Sequence, residues 1–206
     1  TQMSCANSEA ARFLKRQGAD RVVLARECTL DEVAAIAATA GIEVETFVHG
    51  AVCVAVSGRC LLSHEAYGCS SNRGECRQPC RREFLIREVR EGEDADAAFR
   101  VTPNTVLSAR DLCSLPFVDR LVAAGIAAFK IEGRARNPEY VKTVVSAYRA
   151  AIDAVRDGTF TAERAAHWCE ACARVYHREF GCGLYHGRPG EDQFTDTDEN
   201  QATARK

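Results

Sequence analysis

No apolar run in this sequence approaches the roughly 20 residues a membrane helix needs, so nothing in it is expected to span a bilayer. No secretory signal opens it; the chain starts at Thr1 without a methionine and reads as if cut from something longer. An excess of charge is missing too. The 27 Lys and Arg against 29 Asp and Glu leave a net charge of −2, which excludes a globally basic nucleic-acid binder and leaves room only for a local patch. Common hydrolase motifs are absent: there is no His-Glu-x-x-His, no Gly-x-Ser-x-Gly and no paired aspartate motif. What is present is ordinary for a globular domain. The 206 residues are 46% apolar and 27% charged, enough for one real core.

Cysteine is the exception, with 11 in the chain. A disulfide framework suits small secreted domains with little core. Here the number is odd, the helical stretches are amphipathic, and Cys53, Cys60, Cys69, Cys76 and Cys80 crowd into one segment. A cytoplasmic protein with a metal or cluster site is therefore expected.

Apolar spacing and breakers predict helices over 8–18 (capped by Ser8), 30–40 (capped by Thr29), 116–124, 138–155 and 162–176. Strands are expected at 21–25, 44–48 and 127–131, and a hairpin at 84–89 and 100–107 around an acidic turn at 91–96. Strand and helix alternate, which means parallel strands covered by helices. The expected fold class is α/β: the second half of a (β/α)8 TIM-like barrel, with a Cys-rich insertion over about 50–113 that includes the hairpin. Residues 1–180 would form this half barrel and 181–206 a loosely docked tail or linker.

Cys53 and Cys60 flank a glycine-containing loop at the carboxyl end of the 44–48 strand, where the active sites of βα barrels sit. Cys76 and Cys80 follow, then Cys113. Four thiolates suit tetrahedral zinc or an iron–sulfur cluster, and the wide gaps depart from the tight pairs of structural zinc. Buried reduced cysteine accounts for Cys5, Cys28, Cys169 and Cys172, and poorly for the crowded set. Arg73, Arg77, Arg81, Arg82 and Arg87 surround those cysteines, and Lys130, Arg134 and Arg136 gather at the end of the last strand. Such a rim suits RNA phosphates or a small acid, against a merely solvated face. Glu45 and Glu132 are candidate catalytic carboxylates at strand ends. His49 is a candidate acid–base group or a donor to a cluster sulfur.

Residues 45–63 also resemble the signature of the collagenase-like peptidase family U32: Glu-x-Phe, two free positions, Gly, a small residue, an aliphatic, Cys, four free, Gly-x-Cys-x-aliphatic-Ser. Glu45, Phe47, Gly50, Ala51, Val52, Cys53, Gly58, Cys60, Leu62 and Ser63 fit it. The similarity extends to Arg21–Glu27, Asn72–Cys80, Ala109–Cys113 and Phe129–Arg134. The resemblance implies the second half of a barrel domain and a 4Fe–4S cluster on Cys53, Cys60, Cys76 and Cys113, with Cys80 as spare or substitute ligand. It implies oxygen-independent hydroxylation of a tRNA wobble uridine with prephenate as a required metabolite, or of rRNA or a ubiquinone precursor, and relatives that act in pairs. The family name implies peptidase activity, which the residues support little, because thiols engaged on a metal are not free nucleophiles. A non-catalytic cluster-bearing subunit is the remaining class.

Overall fold

The computed structural model describes residues 1–82, 84–87, 98–101, 107–134, 136–187 and 193–194. Helix α1 (Ser8–Arg16) is capped by Asn7, whose side chain accepts from Ala10 N at 2.8 Å, one residue before the expected cap. Strand β1 (Arg21–Val23) leads to α2 (Leu30–Thr39). The predicted cap Thr29 there forms a full capping box with Glu32, satisfying two backbone donors at once. Strand β2 (Glu43–Ala51) is longer than expected and is the axis of the sheet.

The Cys-rich segment carries a short helix, α3 (Leu62–Tyr67), and two single 3₁₀ turns, Ser71–Arg73 and Pro79–Arg81. The hairpin is present as β3 (Phe84–Arg87) antiparallel to β4 (Ala98–Val101); its acidic turn lies outside the described residues. After β5 (Asp111–Cys113), a 3₁₀ turn at Leu115–Phe117 precedes α4 (Val118–Ala123), then β6 (Ala128–Ile131), α5 (Pro138–Arg156), α6 (Ala162–Ala173) and β7 (Phe180–Gly181).

Strands β1, β2 and β6 lie side by side and parallel, with β2 in the middle. Strand β5 then pairs antiparallel with the end of β2, His49 opposite Cys113, and β7 adds to β5. The fold is mixed α/β as expected, and the described strands do not close into a barrel. The core lies between this sheet and the helices, around Val44, Val48, Leu121, Tyr140, Val144 and Tyr148. No helix among the described residues is long and apolar enough to cross a membrane.

Two expectations change. β5 and β7 were not anticipated, being too short to carry a periodic signal. The tail is also better docked than its composition suggests: Tyr185 is buried, donates to Phe47 O at 2.6 Å and accepts at its carbonyl from Leu30 N. Residues 188–192 and 195–206 of the expected linker lie outside the described residues.

Candidate functional site

The cysteine loops are irregular, so their shape comes from side chains of other segments. At the end of β2, Gly50 has φ +103°, and a Cβ there would meet Glu132 O at 2.7 Å; only glycine lets the two backbones approach so closely. Gly58 is alike, with φ +76° and Gln2 O 2.5 Å from an added Cβ. Between them, Glu27 accepts from Ser57 N at 2.6 Å, and Ser57 Oγ accepts from Arg26 N at 3.1 Å. The β1–α2 loop thereby anchors the Cys53–Cys60 loop.

Ser71 Oγ and Asn72 Nδ2 donate to Cys60 O at 2.9 and 3.3 Å. Fully buried Ser63 accepts from Arg77 N at 3.2 Å. Arg134 Nη1 donates to Gly74 O at 2.7 Å, tying the end of β6 to the same loops. Each segment of the motif thus holds another in place.

Four thiols share this region. Burial raises the Cys53 thiol, with Cys60 and Cys76 adding to the rise and Arg26 opposing it. Cys80 is pushed up to about 11, first by burial, against the pull of Arg81 and with the fields of Cys53, Cys76 and Cys60 added. Cys69 is turned away, its thiol directed at Ser63 O and Glu75 O.

Cys113 sits elsewhere. It is buried on β5 with its sulfur 3.8 Å from that of Cys169 on α6. Cys5, Cys28 and Cys172 are buried, as the sequence led one to expect. Among the described residues no group of three or more His, Cys, Asp or Glu stands at metal-holding distances. Cys53, Cys60, Cys76 and Cys80 nevertheless supply four soft donors, the type and number that a zinc or iron–sulfur centre takes.

The other candidate residues divide sharply. Arg73, Arg77, Arg82 and Arg134 are exposed, and the guanidinium groups of Arg77 and Arg82 lie 5.6 and 5.4 Å from the Tyr67 ring. Arg81, expected on the basic rim, is instead 5% exposed. Its guanidinium donates to Val52 O at 2.7 Å, Ala109 O at 2.6 Å and Ser108 Oγ at 2.7 Å, so it braces the loops from within. Arg136 also leaves the rim. It and Arg178 clasp buried Asp111 at 2.9 and 2.8 Å, a cluster with no periodic signature that proximity of Asp111 to Cys113 in sequence did not reveal.

Glu45 faces Lys130 at 3.4 Å and Arg21 at 3.7 Å. Glu132 accepts from Arg134 N at 2.9 Å. His49 is 1% exposed, ringed by Tyr140, Tyr148 and Phe180, with Nδ1 3.3 Å from Tyr148 Oη. Burial lowers its pKa to about 4. A ring held neutral in this way is a member of the core rather than a proton donor near neutral pH.

Beside Cys53 opens a cavity of about 190 Å³, lined by Arg26, Phe47, His49, Cys53, Leu112 and Tyr185 among others. Arg26 stacks over Phe47 at 4.9 Å, and its Nε is buried with no hydrogen-bond partner among the described residues. A buried guanidinium N–H ordinarily has an acceptor, and Arg26 is among the residues that line the cavity.

The sequence model of peptidase family U32 matches residues 1–195. A collagenase of Porphyromonas gingivalis is 40% identical over 199 residues, covering 91% of this chain and 47% of the relative. A tRNA hydroxylation protein of Bacillus subtilis is 36% identical over 202 residues, covering 94% and 46%. An rRNA 5-hydroxycytidine synthase of Escherichia coli is 37% identical over 155 residues, covering 75% and 23%. The chain thus spans about half the length, or less, of these curated relatives. No solved structure matches it.

Proposed function

We propose, from the premise that this chain belongs to peptidase family U32, that it is part of an iron–sulfur enzyme that hydroxylates RNA, with a tRNA wobble uridine as substrate. The observation that carries this reading is the crowding of four thiols, Cys53, Cys60, Cys76 and Cys80, into neighbouring loops where each is near enough to shift another's titration, with exposed Arg73, Arg77 and Arg82 on the same loops. Relatives named for tRNA hydroxylation and rRNA hydroxycytidine synthesis support the substrate class. The half-barrel architecture is part of the same proposal. Strands β1, β2 and β6 would be consecutive barrel strands, completed by the remainder of the relatives' length.

In this reading Cys53, Cys60, Cys76 and Cys80 hold a 4Fe–4S cluster, in place of the set with Cys113 that the resemblance implies. Zinc is the alternative occupant. The cluster would supply one-electron transfer. The chain's own residues do the rest. Arg81 and Glu27 keep the loops together through Val52 O and Ser57 N. Arg26, a residue of the cavity lining, suits the carboxylate of a small acid, and prephenate, a dicarboxylate, is of that kind. Arg73, Arg77, Arg82 and Arg134, all exposed, would meet phosphates.

A peptidase fits less well. A nucleophilic cysteine needs a lowered pKa and a basic partner, whereas burial raises Cys53 and holds His49 neutral at about 4. The deciding experiment is anaerobic purification of the full-length protein with iron, sulfide and zinc analysis. A brown chromophore with iron and sulfide, lost in Cys53→Ala, Cys60→Ala, Cys76→Ala and Cys80→Ala and kept in Cys113→Ala, is expected. Zinc without colour would move the zinc reading ahead, and bare thiols would remove both.

A further inference from the structure

We propose that the positioning residue Arg81 also sets the reduction potential of the centre its loops would hold, its buried positive charge favouring the reduced state. This rests on the iron–sulfur reading of the cysteine loops. Three segments meet at the guanidinium. Arg81 follows Cys80 directly in the 3₁₀ turn Pro79–Arg81. Its Nη2 donates at 2.7 Å to the carbonyl of Val52, the residue before Cys53. Its Nη1 donates at 2.6 Å to Ala109 O and at 2.7 Å to Ser108 Oγ, on the approach to β5. The placement serves either fourth ligand, Cys80 or Cys113. Arg81 is joined to the first by a peptide bond and is hydrogen-bonded to Ala109, four residues before the second.

A brace between carbonyls does not require a charge, since a neutral amide side chain also carries two N–H donors. A guanidinium brings a cation that is not given up on burial. Exposed Arg73 and Arg77 act through water and salt, which screen them; Arg81, 5% exposed, is screened far less. The neighbouring thiols feel this charge. Burial lowers the Arg81 pKa and Arg178 lowers it further, while Cys80, Asp111 and Cys53 oppose the fall. Asp111 is itself clasped by Arg136 and Arg178. Accepting one electron adds one negative charge to a thiolate-held centre, and net charge is among the quantities that fix its potential. A fixed cation beside the ligands therefore stabilises the reduced form and raises the potential.

The test is an anaerobic dithionite titration of the full-length protein, read by visible absorbance and by EPR of the one-electron-reduced cluster. Arg81→Lys and Arg81→Gln both give up the planar fork, and only Arg81→Gln gives up the charge. Arg81→Gln is expected to have a more negative midpoint, by on the order of tenfold in the oxidised-to-reduced ratio at fixed potential. For one electron that is about 59 mV. Arg81→Lys should stay near the wild-type value. A second pair leaves Arg81 and its two carbonyl bonds in place: Ser108→Asp sets a carboxylate against Nη1 and cancels the charge, and Ser108→Asn is its neutral match. Ser108→Asp should shift the midpoint in the same direction as Arg81→Gln, and Ser108→Asn should not; this pair decides if Arg81→Gln loads too little iron to titrate.

A wild-type midpoint in Ser108→Asp or in iron-loaded Arg81→Gln would overturn the proposal. Equal shifts within either pair would do the same, as would loss of iron from all four variants, which would make Arg81 a brace alone. Wild-type protein without iron would instead remove the iron–sulfur reading, and this role of Arg81 with it.

Discussion

His49 and Arg81 show how position alters what a residue type means. The folded protein holds the His49 pKa at about 4 against an ordinary 6.5, chiefly through burial. Above pH 6.5 the ring is neutral in both folded and unfolded chains and contributes no pH dependence. Between 6.5 and 4 the unfolded chain binds a proton that the folded one refuses, so stability falls as pH falls. Each pH unit in that window costs about 1.4 kcal/mol, or about 3 kcal/mol over the whole of it. Urea unfolding of His49→Gln at pH 7, 5.5 and 4 should give a shallower decline than wild type; parallel curves would show the ring accessible to protons. Arg81 is the converse case, a surface-type residue used inside. Arg81→Gln should lower stability by about 2 kcal/mol or more, since it strips charge-assisted hydrogen bonds from the half-buried Val52 and buried Ala109 carbonyls. It should also reduce bound iron, while leaving the salt dependence of RNA binding unchanged.

Among the elements, β2 carries most of the burden. It is parallel to β1 and β6 along its first part and antiparallel to β5 at its end. A register shift between Phe47 and His49 marks the change, as β-bulges do where a strand is re-aimed toward a site. Gly50 lies just beyond that shift. Gly50→Ala would put a Cβ 2.7 Å from the Glu132 carbonyl oxygen on a left-handed backbone, so a loss on the order of 3 kcal/mol is expected. Thermal unfolding measures it, and a wild-type midpoint would mean that the β6 end yields easily. The helices were legible because caps and periodicity are local: Thr29 closes its box and Asn137 accepts from Tyr140 N at 2.8 Å. Strands β5 and β7, of three and two residues, exist only because a neighbouring strand offers hydrogen bonds.

For the whole molecule, the question is whether the basic rim meets RNA. If Arg77 and Arg82 each neutralise a phosphate, log affinity for single-stranded RNA should fall linearly with log salt, with a slope near −0.7 per contact. The Arg77→Ala/Arg82→Ala double variant should then flatten that slope by about 1.4. Binding across a salt series with full-length protein reads this directly. Equal slopes would make the arginines a solvated face and weaken the RNA reading relative to a small-molecule or peptide substrate.

The sequence by itself determined the α/β alternation, the helix ends, the family and the crowding of thiols, because each rests on residues near one another in the chain. It did not determine which arginines face solvent. Arg73, Arg77, Arg81 and Arg82 look equivalent in a row, and only the packing of the 79–81 turn against Val52 and Ala109 turns Arg81 inward. Nor did it separate the cysteines. Cys80 joins the loops of Cys53, Cys60 and Cys76, while Cys113 is carried by β5 to the face of α6, where Cys169 waits. Spacing along a chain bounds which thiols can meet, and the crossing of a strand and a helix decides which do.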